Sequence, residues 1–224
     1  MPVSDIIFSF CRFQPPTEGH RLLMDKVLSL ANSRNSSPIK HVVFPSHTVD
    51  KKYNPLDAIT KLYFLEKAFP EINFVYDPKI RNPFDVFRMF SDVGIKNVTM
   101  VTGSDREKEF EAMVDPYLIH PDPKKRLNFT NVNIISCGKR CKSIYPDNIS
   151  GTIARNAARE DYFKTFAYCL PQNLTIMDAT YLYNKVRLGL GLQVNEKNIP
   201  DIRREGIGKI EREITELASR IGRN

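Results

Sequence analysis

The chain has 224 residues, 42% of them hydrophobic, and its 33 Lys and Arg exceed its 26 Asp and Glu by seven charges. That is enough to bury a substantial core in one large α/β domain, alone or with an appendage. No apolar run approaches the roughly 20 residues of a membrane span, and the N-terminus lacks the basic start, apolar stretch and cleavage site of a signal peptide, so a cytoplasmic location is expected.

The positive balance favours anionic partners. The clusters Lys124-Lys125-Arg126 and Lys139-Arg140-Cys141-Lys142 are too short for a nucleic-acid arm and read as solvated loops. Cys11, Cys137, Cys141 and Cys169 are spread too thinly for a disulfide framework and suit a reducing compartment. Only His120 lies anywhere near Cys137 and Cys141, so no metal site is expected.

In chain order, strand-like apolar runs occupy 6–10, 41–44, 72–76, 97–101 and 131–135, and helix candidates at 21–31, 55–69 and 83–93 fill intervals between them. The alternation predicts βαβ units and an α/β, doubly wound, Rossmann-like and mainly parallel sheet. Ligands of such sheets bind beyond the C-terminal ends of the strands. Residues 1–172 are assigned to this domain and 173–224 to a C-terminal helical extension.

The first run leads through Cys11-Arg12-Phe13-Gln14-Pro15-Pro16 to Thr17-Glu18-Gly19-His20 and a helix. A helix start offers unpaired N–H groups and partial positive charge, and a glycine there admits a phosphate without a Cβ in its way. An ordinary turn can carry the same four residues; the flanking strand and helix point to phosphate.

The second run is followed by Lys51 and Lys52. The fourth run ends at Gly103-Ser104-Asp105-Arg106, where a Gly-Ser-Asp turn permits close backbone approach and Asp105 could equally cap a helix over 106–113. Three distant segments thus fall at strand ends. Residues 115–130, rich in Pro, His and basic side chains, form a loop or insertion, either closing over a ligand or simply solvated.

Ile149-Ser150-Gly151-Thr152-Ile153-Ala154-Arg155 opens a further helix, with Ser150 as its N-cap. Arg155, three residues after Thr152, shares its face, so guanidinium, hydroxyl and N–H groups can address one anion. A capped structural helix with a surface arginine would look the same. In the tail, Ile207, Ile210, Ile214, Leu217 and Ile221 form one helical stripe, suited to packing on its own domain or to contact between subunits.

Thr17-Glu18-Gly19-His20 resembles the (His/Thr)-x-Gly-His signature of the nucleotidyltransferase superfamily, and Arg12-Phe13-Gln14-Pro15 resembles its archaeal-type nicotinamide-mononucleotide adenylyltransferase branch. Ile-Ser-Gly-Thr-x-x-Arg resembles the second signature of that superfamily. Residues 12 to about 171 are also similar to nucleotidyltransferase-like proteins of large tailed bacteriophages, through Arg12 to Thr17, Lys52-Tyr53-Asn54-Pro55-Leu56, Arg81-Asn82-Pro83-Phe84-Asp85-Val86, Gly103 to Arg106 and Ile149 to Thr152. In that case the host cytoplasm is the expected compartment.

The resemblance implies in-line attack by an acceptor phosphate on the α-phosphorus of a nucleoside triphosphate, with release of pyrophosphate. It implies catalytic roles for His20, Lys51 or Lys52, and Arg155. It implies nucleotide contacts from Arg12, Phe13, Gln14, Thr17, Gly19, Gly103, Ser104, Asp105, Ser150, Gly151 and Thr152, and Mg²⁺ carried on the triphosphate. ATP and nicotinamide mononucleotide, giving NAD, are the expected substrates. Cytidylyl transfer, or adenylyl transfer to a pantetheine-like phosphate, is the enzymatic alternative, and a phage structural or nucleic-acid-binding module the non-enzymatic one. Cys11 stands where the family commonly has glycine, Thr17 replaces the first histidine, and Ala154 stands where a more polar or bulkier residue is usual.

Overall fold

A computed structural model describes residues 5–33, 41–138 and 149–194. The basic cluster 139–142 with Cys141, the tail stripe and any subunit contact through it lie outside these residues. The described chain divides into two compact units, each built from separated segments: 5–11, 21–33, 41–46 and 71–138 in the first, and 12–20, 47–70 and 149–194 in the second.

The first unit holds four parallel strands, β1 (Asp5–Cys11), β2 (His41–Pro45), β3 (Asn97–Thr102) and β4 (Asn131–Ser136), in the order β2-β1-β3-β4. Central parallel strands are covered on both faces and read as continuous apolar runs. In β1, residues 6–9 are accordingly all buried. Helices flank the sheet, as the doubly wound reading expects. On one face Ile6, Phe8, Val98 and Met100 share a core with Val86, Phe87 and Phe90 of α3 (Pro83–Asp92) and Val114 of α4 (Glu107–Leu118). Helix α1 (Arg21–Asn32) lies along β1, β2 and β3 and buries Leu23, Met24 and Val27. Phe8 meets Phe87 and Phe90 edge-on, at centroid distances of 5.0 and 5.5 Å. The start of α3 was legible in the sequence: Pro83 takes the first turn while Asn82 and Asp85 form a capping box.

The chain runs outward from β1 in two directions, to β2 and to β3, so the strand order reverses between β1 and β3. That is the switch point at which ligands of open parallel sheets bind, flanked here by Cys11 and Gly103. The strand expected at 72–76 is reduced to one bridge, Val43 with Phe74, on the outer side of β2. Pro70 and Pro78 bracket the segment and restrict pairing to either side. The loop expected from 115 begins later, because α4 runs through Pro116 to Leu118.

The second unit combines α2 (Ala58–Ala68), α5 (Gly151–Arg159), α6 (Phe163–Cys169) and α7 (Ile176–Gly189) around Phe64, Ala158, Phe166, Tyr181 and Leu182. The boundary expected after 172 falls inside it, between α6 and α7, which pack on each other. Helix α2 starts at Ala58, three residues later than the sequence pattern suggests, with Asp57 accepting from the Thr60 N–H at 2.8 Å. Among the described residues no helix is long and apolar enough to cross a membrane.

Asp178, in the capping box that begins α7, also meets the Lys67 ammonium at 2.7 Å, and its side chain is only 3% exposed. Burial alone would raise its carboxyl pKa; the Lys67 ammonium and the Thr175 hydroxyl and N–H outweigh that and hold it below the ordinary value. A carboxyl lowered in the folded state contributes stability fully above its unfolded pKa, near ~4, and loses it as pH falls through the lower folded value. Asp178→Ala is therefore expected to lower unfolding free energy by about 3 kcal/mol at neutral pH. In urea titrations the gap between the two proteins should shrink below about pH 4; a gap that widens in acid would contradict the assignment.

Candidate phosphate-binding site

Within the second unit, the loop 12–20 and the start of α5 approach so closely that a side chain fits at neither of two glycines. A Cβ at Gly19 would stand 2.1 Å from the Ile149 carbonyl oxygen, and one at Gly151 would stand 2.9 Å from the Gln14 carbonyl oxygen. The sequence reading gave Gly19 to phosphate approach. Its side-chain direction is instead filled by Ile149, so its first duty is to let one motif pack on the other.

Gln14 ties three segments together. Its carbonyl oxygen accepts from Nη1 of Arg155 at 2.5 Å, its Nε2 donates to the carbonyl oxygens of Leu56 (2.9 Å) and Thr48 (3.4 Å), and its Oε1 accepts from the Leu56 N–H (2.8 Å). Of Arg12, Phe13, Gln14 and Thr17, all expected to touch nucleotide, only Arg12 has an exposed side chain. Phe13, Gln14 and Thr17 are at most 2% exposed, so their side chains pack inside the unit and hold the loop in place.

Phe13 adopts φ = 47°, a left-handed conformation that costs a residue other than glycine about 1–2 kcal/mol. Its ring lies 4.8 Å from that of His20. His20 ends a 3-10 turn, Glu18–His20. Its Nδ1 accepts from the Thr17 backbone N–H at 3.0 Å and lies 2.9 Å from Thr17 Oγ1. A backbone N–H can only donate, so in this shorter contact Nδ1 is the acceptor and the neutral ring carries its proton on Nε2; the Thr17 carbonyl oxygen, 3.3 Å from Nδ1, would need the other tautomer.

Helix α5 is capped as expected, Ser150 Oγ accepting from the Ile153 N–H at 3.3 Å. The cap uses one of the four donors a helix start leaves over, and Gly151 and Thr152 contribute two of the others. Thr152 is exposed, and its Oγ1 accepts from Nη2 of Arg155 at 3.1 Å, confirming the shared face read from their spacing.

Arg155 is 7% exposed, and its buried Nε has no hydrogen-bond partner among the described residues. Its pKa is lowered by burial first and then by the like charges of Arg12 and Arg159, against a smaller opposing effect of Asp50. A guanidinium stays protonated even so, so among the described residues Arg155 carries its charge beside those of Arg12 and Arg159. Arg159 is a residue the sequence reading missed as a site component. It donates to the Lys52 carbonyl oxygen and, at 2.9 Å, to Asn156 Oδ1. The available signal was its i+4 spacing from Arg155.

Lys51 and Lys52 are both exposed on a short loop closed by the Asp50–Asn54 bridge. Asp50 accepts from the Tyr53 N–H (2.6 Å), the Lys52 N–H (2.8 Å) and the Asn54 amide, which pull its carboxyl down to about 2, the Tyr53 bond having the largest effect. The Lys52 ammonium sits 4.9 Å above the Tyr53 ring.

Gly103, Ser104 and Asp105 belong to the first unit, at the switch-point end of β3, with Ser104 and Asp105 exposed. Asp105 is not a helix cap: α4 begins at Glu107, and the turn before it is closed by the Arg106 N–H donating to the Gly103 carbonyl oxygen at 3.1 Å. Among the described residues no group of three or more His, Cys, Asp or Glu is placed to hold a metal ion. No protein-family model matches this chain, and no curated protein matches it.

The two glycines rank themselves. Gly19→Ala drives a Cβ into backbone and is expected to cost about 3 kcal/mol, whereas Gly151→Ala, with a longer approach, is expected to cost about 1 kcal/mol. Urea midpoints of the two variants measure this, and the reverse order would contradict the packing of loop 12–20 on α5.

Proposed function

We propose that the chain is a nucleotidyltransferase, joining a nucleoside monophosphate from a triphosphate to a phosphorylated acceptor and releasing pyrophosphate. The observation that carries this reading is His20. Its Nδ1 accepts from the Thr17 N–H at 3.0 Å, which fixes the ring against the loop and puts the proton of the neutral ring on Nε2. The same loop is locked to a helix start bearing the Gly151 and Thr152 N–H groups and an undercompensated Arg155. Donors fixed in advance, where charge develops on phosphate, are how such transfers are accelerated.

The acceptor's own phosphate oxygen attacks the α-phosphorus and the bond from that phosphorus to the α,β-bridging oxygen breaks, with the electron pair leaving on pyrophosphate. No protein base is needed, because the acceptor phosphate is already ionised at neutral pH. His20 donates to a non-bridging or bridging oxygen of the triphosphate. Thr152 and the first-turn N–H groups of α5 hold the departing phosphates, while Lys51, Lys52, Arg12 and Arg159 supply cationic surroundings. Mg²⁺ enters with the triphosphate, and the donor set here, N–H groups and cations rather than carboxylates, suits phosphate oxygens and leaves the metal to the nucleotide. The forms of residues 12–15 and 149–155 favour ATP with nicotinamide mononucleotide, giving NAD.

The test is pyrophosphate release from ATP or CTP with a panel of phosphorylated acceptors. ATP with nicotinamide mononucleotide is expected to turn over, and His20→Ala to reduce kcat/KM about a hundredfold in a protein that remains folded. Turnover with CTP alone would overturn the adenylyl assignment. No turnover with any pair would overturn the enzyme.

A further inference from the structure

Helix α7 ends against the loop that carries Lys51 and Lys52. Its last residue, Gly189, has no room for a side chain: a Cβ there would stand 1.9 Å from the Pro55 carbonyl oxygen and 2.7 Å from the Pro55 Cβ. Glycine weakens a helix relative to alanine, so a glycine in the last turn calls for a reason, and the approach of Pro55 supplies it. Any side chain at 189 would have to displace backbone, which cannot give way as the tip of a flexible side chain does.

The helix end is itself fixed. Beyond the cap Leu190, the Gly191 N–H donates to the Leu188 carbonyl oxygen and the Leu192 N–H to the Arg187 carbonyl oxygen, both at 2.9 Å. That pair of bonds is a Schellman motif, which takes a left-handed residue at Gly191, where φ is 79°. A Cβ at Gly191 would lie 3.7 Å from Lys51 Cδ, so the Lys51 stem runs beside this turn. The Arg187 guanidinium ties the same helix end to α5, donating to the Ala158 carbonyl oxygen at 2.7 Å and meeting Asp161 at 3.0 Å.

The lysine loop is thus held from three sides. Arg159 of α5 donates to the Lys52 carbonyl oxygen, Gln14 bonds both the N–H and the carbonyl oxygen of Leu56, and α7 stops Pro55 between them. Asp50 closes the loop internally by accepting from the Lys52 and Tyr53 N–H groups. A loop braced in this way presents its lysines without further ordering when an anion arrives, which reduces the cost of binding.

We propose that the C-terminal end of α7 sets the reach of Lys51 and Lys52 toward phosphate, with Gly189 as the positioning residue. Gly189 acts through Pro55 and touches no substrate. The proposal rests on the reading of the two lysines as part of the anion site, and not on what the chain does with the anion.

Inorganic tripolyphosphate, titrated calorimetrically into the full chain at neutral pH, tests it. Gly189→Ala is expected to weaken tripolyphosphate about tenfold in a protein that remains folded, and to shift the Lys51 and Lys52 amide resonances before any anion is added. Replacing both lysines by alanine should cost about tenfold in the unsubstituted chain but less than about twofold once Gly189→Ala is present, because residues that act as one unit are not additive. A glycine with a merely structural role leaves the two losses additive, and additive losses overturn the proposal. If Gly189→Ala does not fold, the unsubstituted chain carries the test: the Gly189 and Gly191 amides should titrate with tripolyphosphate at the same midpoint as those of Lys51 and Lys52, and unmoved glycine amides overturn it. Absence of saturable tripolyphosphate binding by the unsubstituted chain also overturns it. Pyrophosphate release separates the two readings: turnover with additive losses sinks the positioning role alone, and coupled losses without turnover sink the enzyme alone.

Discussion

Everything proposed for the second unit depends on backbone lying directly on backbone where the loop 12–20 meets the start of α5. Gly19 against the Ile149 carbonyl and Gly151 against the Gln14 carbonyl let two segments more than a hundred residues apart in sequence come together without side chains between them. Once they do, Arg155 can reach the Gln14 carbonyl oxygen, and Gln14 can carry the constraint onward to Leu56 and the loop bearing Lys51 and Lys52. His20 follows Gly19 directly, so its ring position is set by the same contact, with the Phe13 ring and the Thr17 N–H fixing its orientation. The arrangement makes the site a property of the helical unit's packing. It also explains why buried, fully bonded residues occupy so much of the motif.

The electrostatics follow from that packing. Arg155 is withdrawn from water beside two other arginines, and Asp50, whose charge opposes theirs among the described residues, is bonded to the N–H groups of its own loop. A buried cation without full compensation is destabilising in isolation. On the proposed function, a bound polyphosphate would offset that cost. Arg155 then acts through its field and through the loop it holds, while the exposed Thr152, Arg12 and lysines provide the surface an anion would touch.

Much of the architecture was legible in the sequence because it rests on local signals. Apolar runs located all four strands, and the Ser150-Gly151-Thr152 cap located the start of α5. What escaped depends on contacts distant along the chain. Gln14 bonds to partners 34, 42 and 141 residues away, so no local pattern marks it as a structural tie. The run at 72–76 has the composition of a strand, but it lies at the sheet's edge between prolines and pairs at one residue only. The expected boundary after 172 falls within a compact unit because α2, from the middle of the chain, shares a core with α5, α6 and α7. A sequence displays a glycine without displaying what approaches it, and Gly19 was read for ligand access when Ile149 is what it accommodates.

The most direct measurement is an amide-resolved NMR titration with a non-hydrolysable ATP analogue and Mg²⁺. The account predicts saturable shifts of the Gly151 and Thr152 amides, together with a slowed, observable His20 Nε2–H resonance, and loss of the helix-start shifts when Arg155 is replaced by Met in a protein that remains folded. Saturable binding that leaves the Gly151, Thr152 and His20 resonances unmoved would contradict it, whatever activity the protein proves to have.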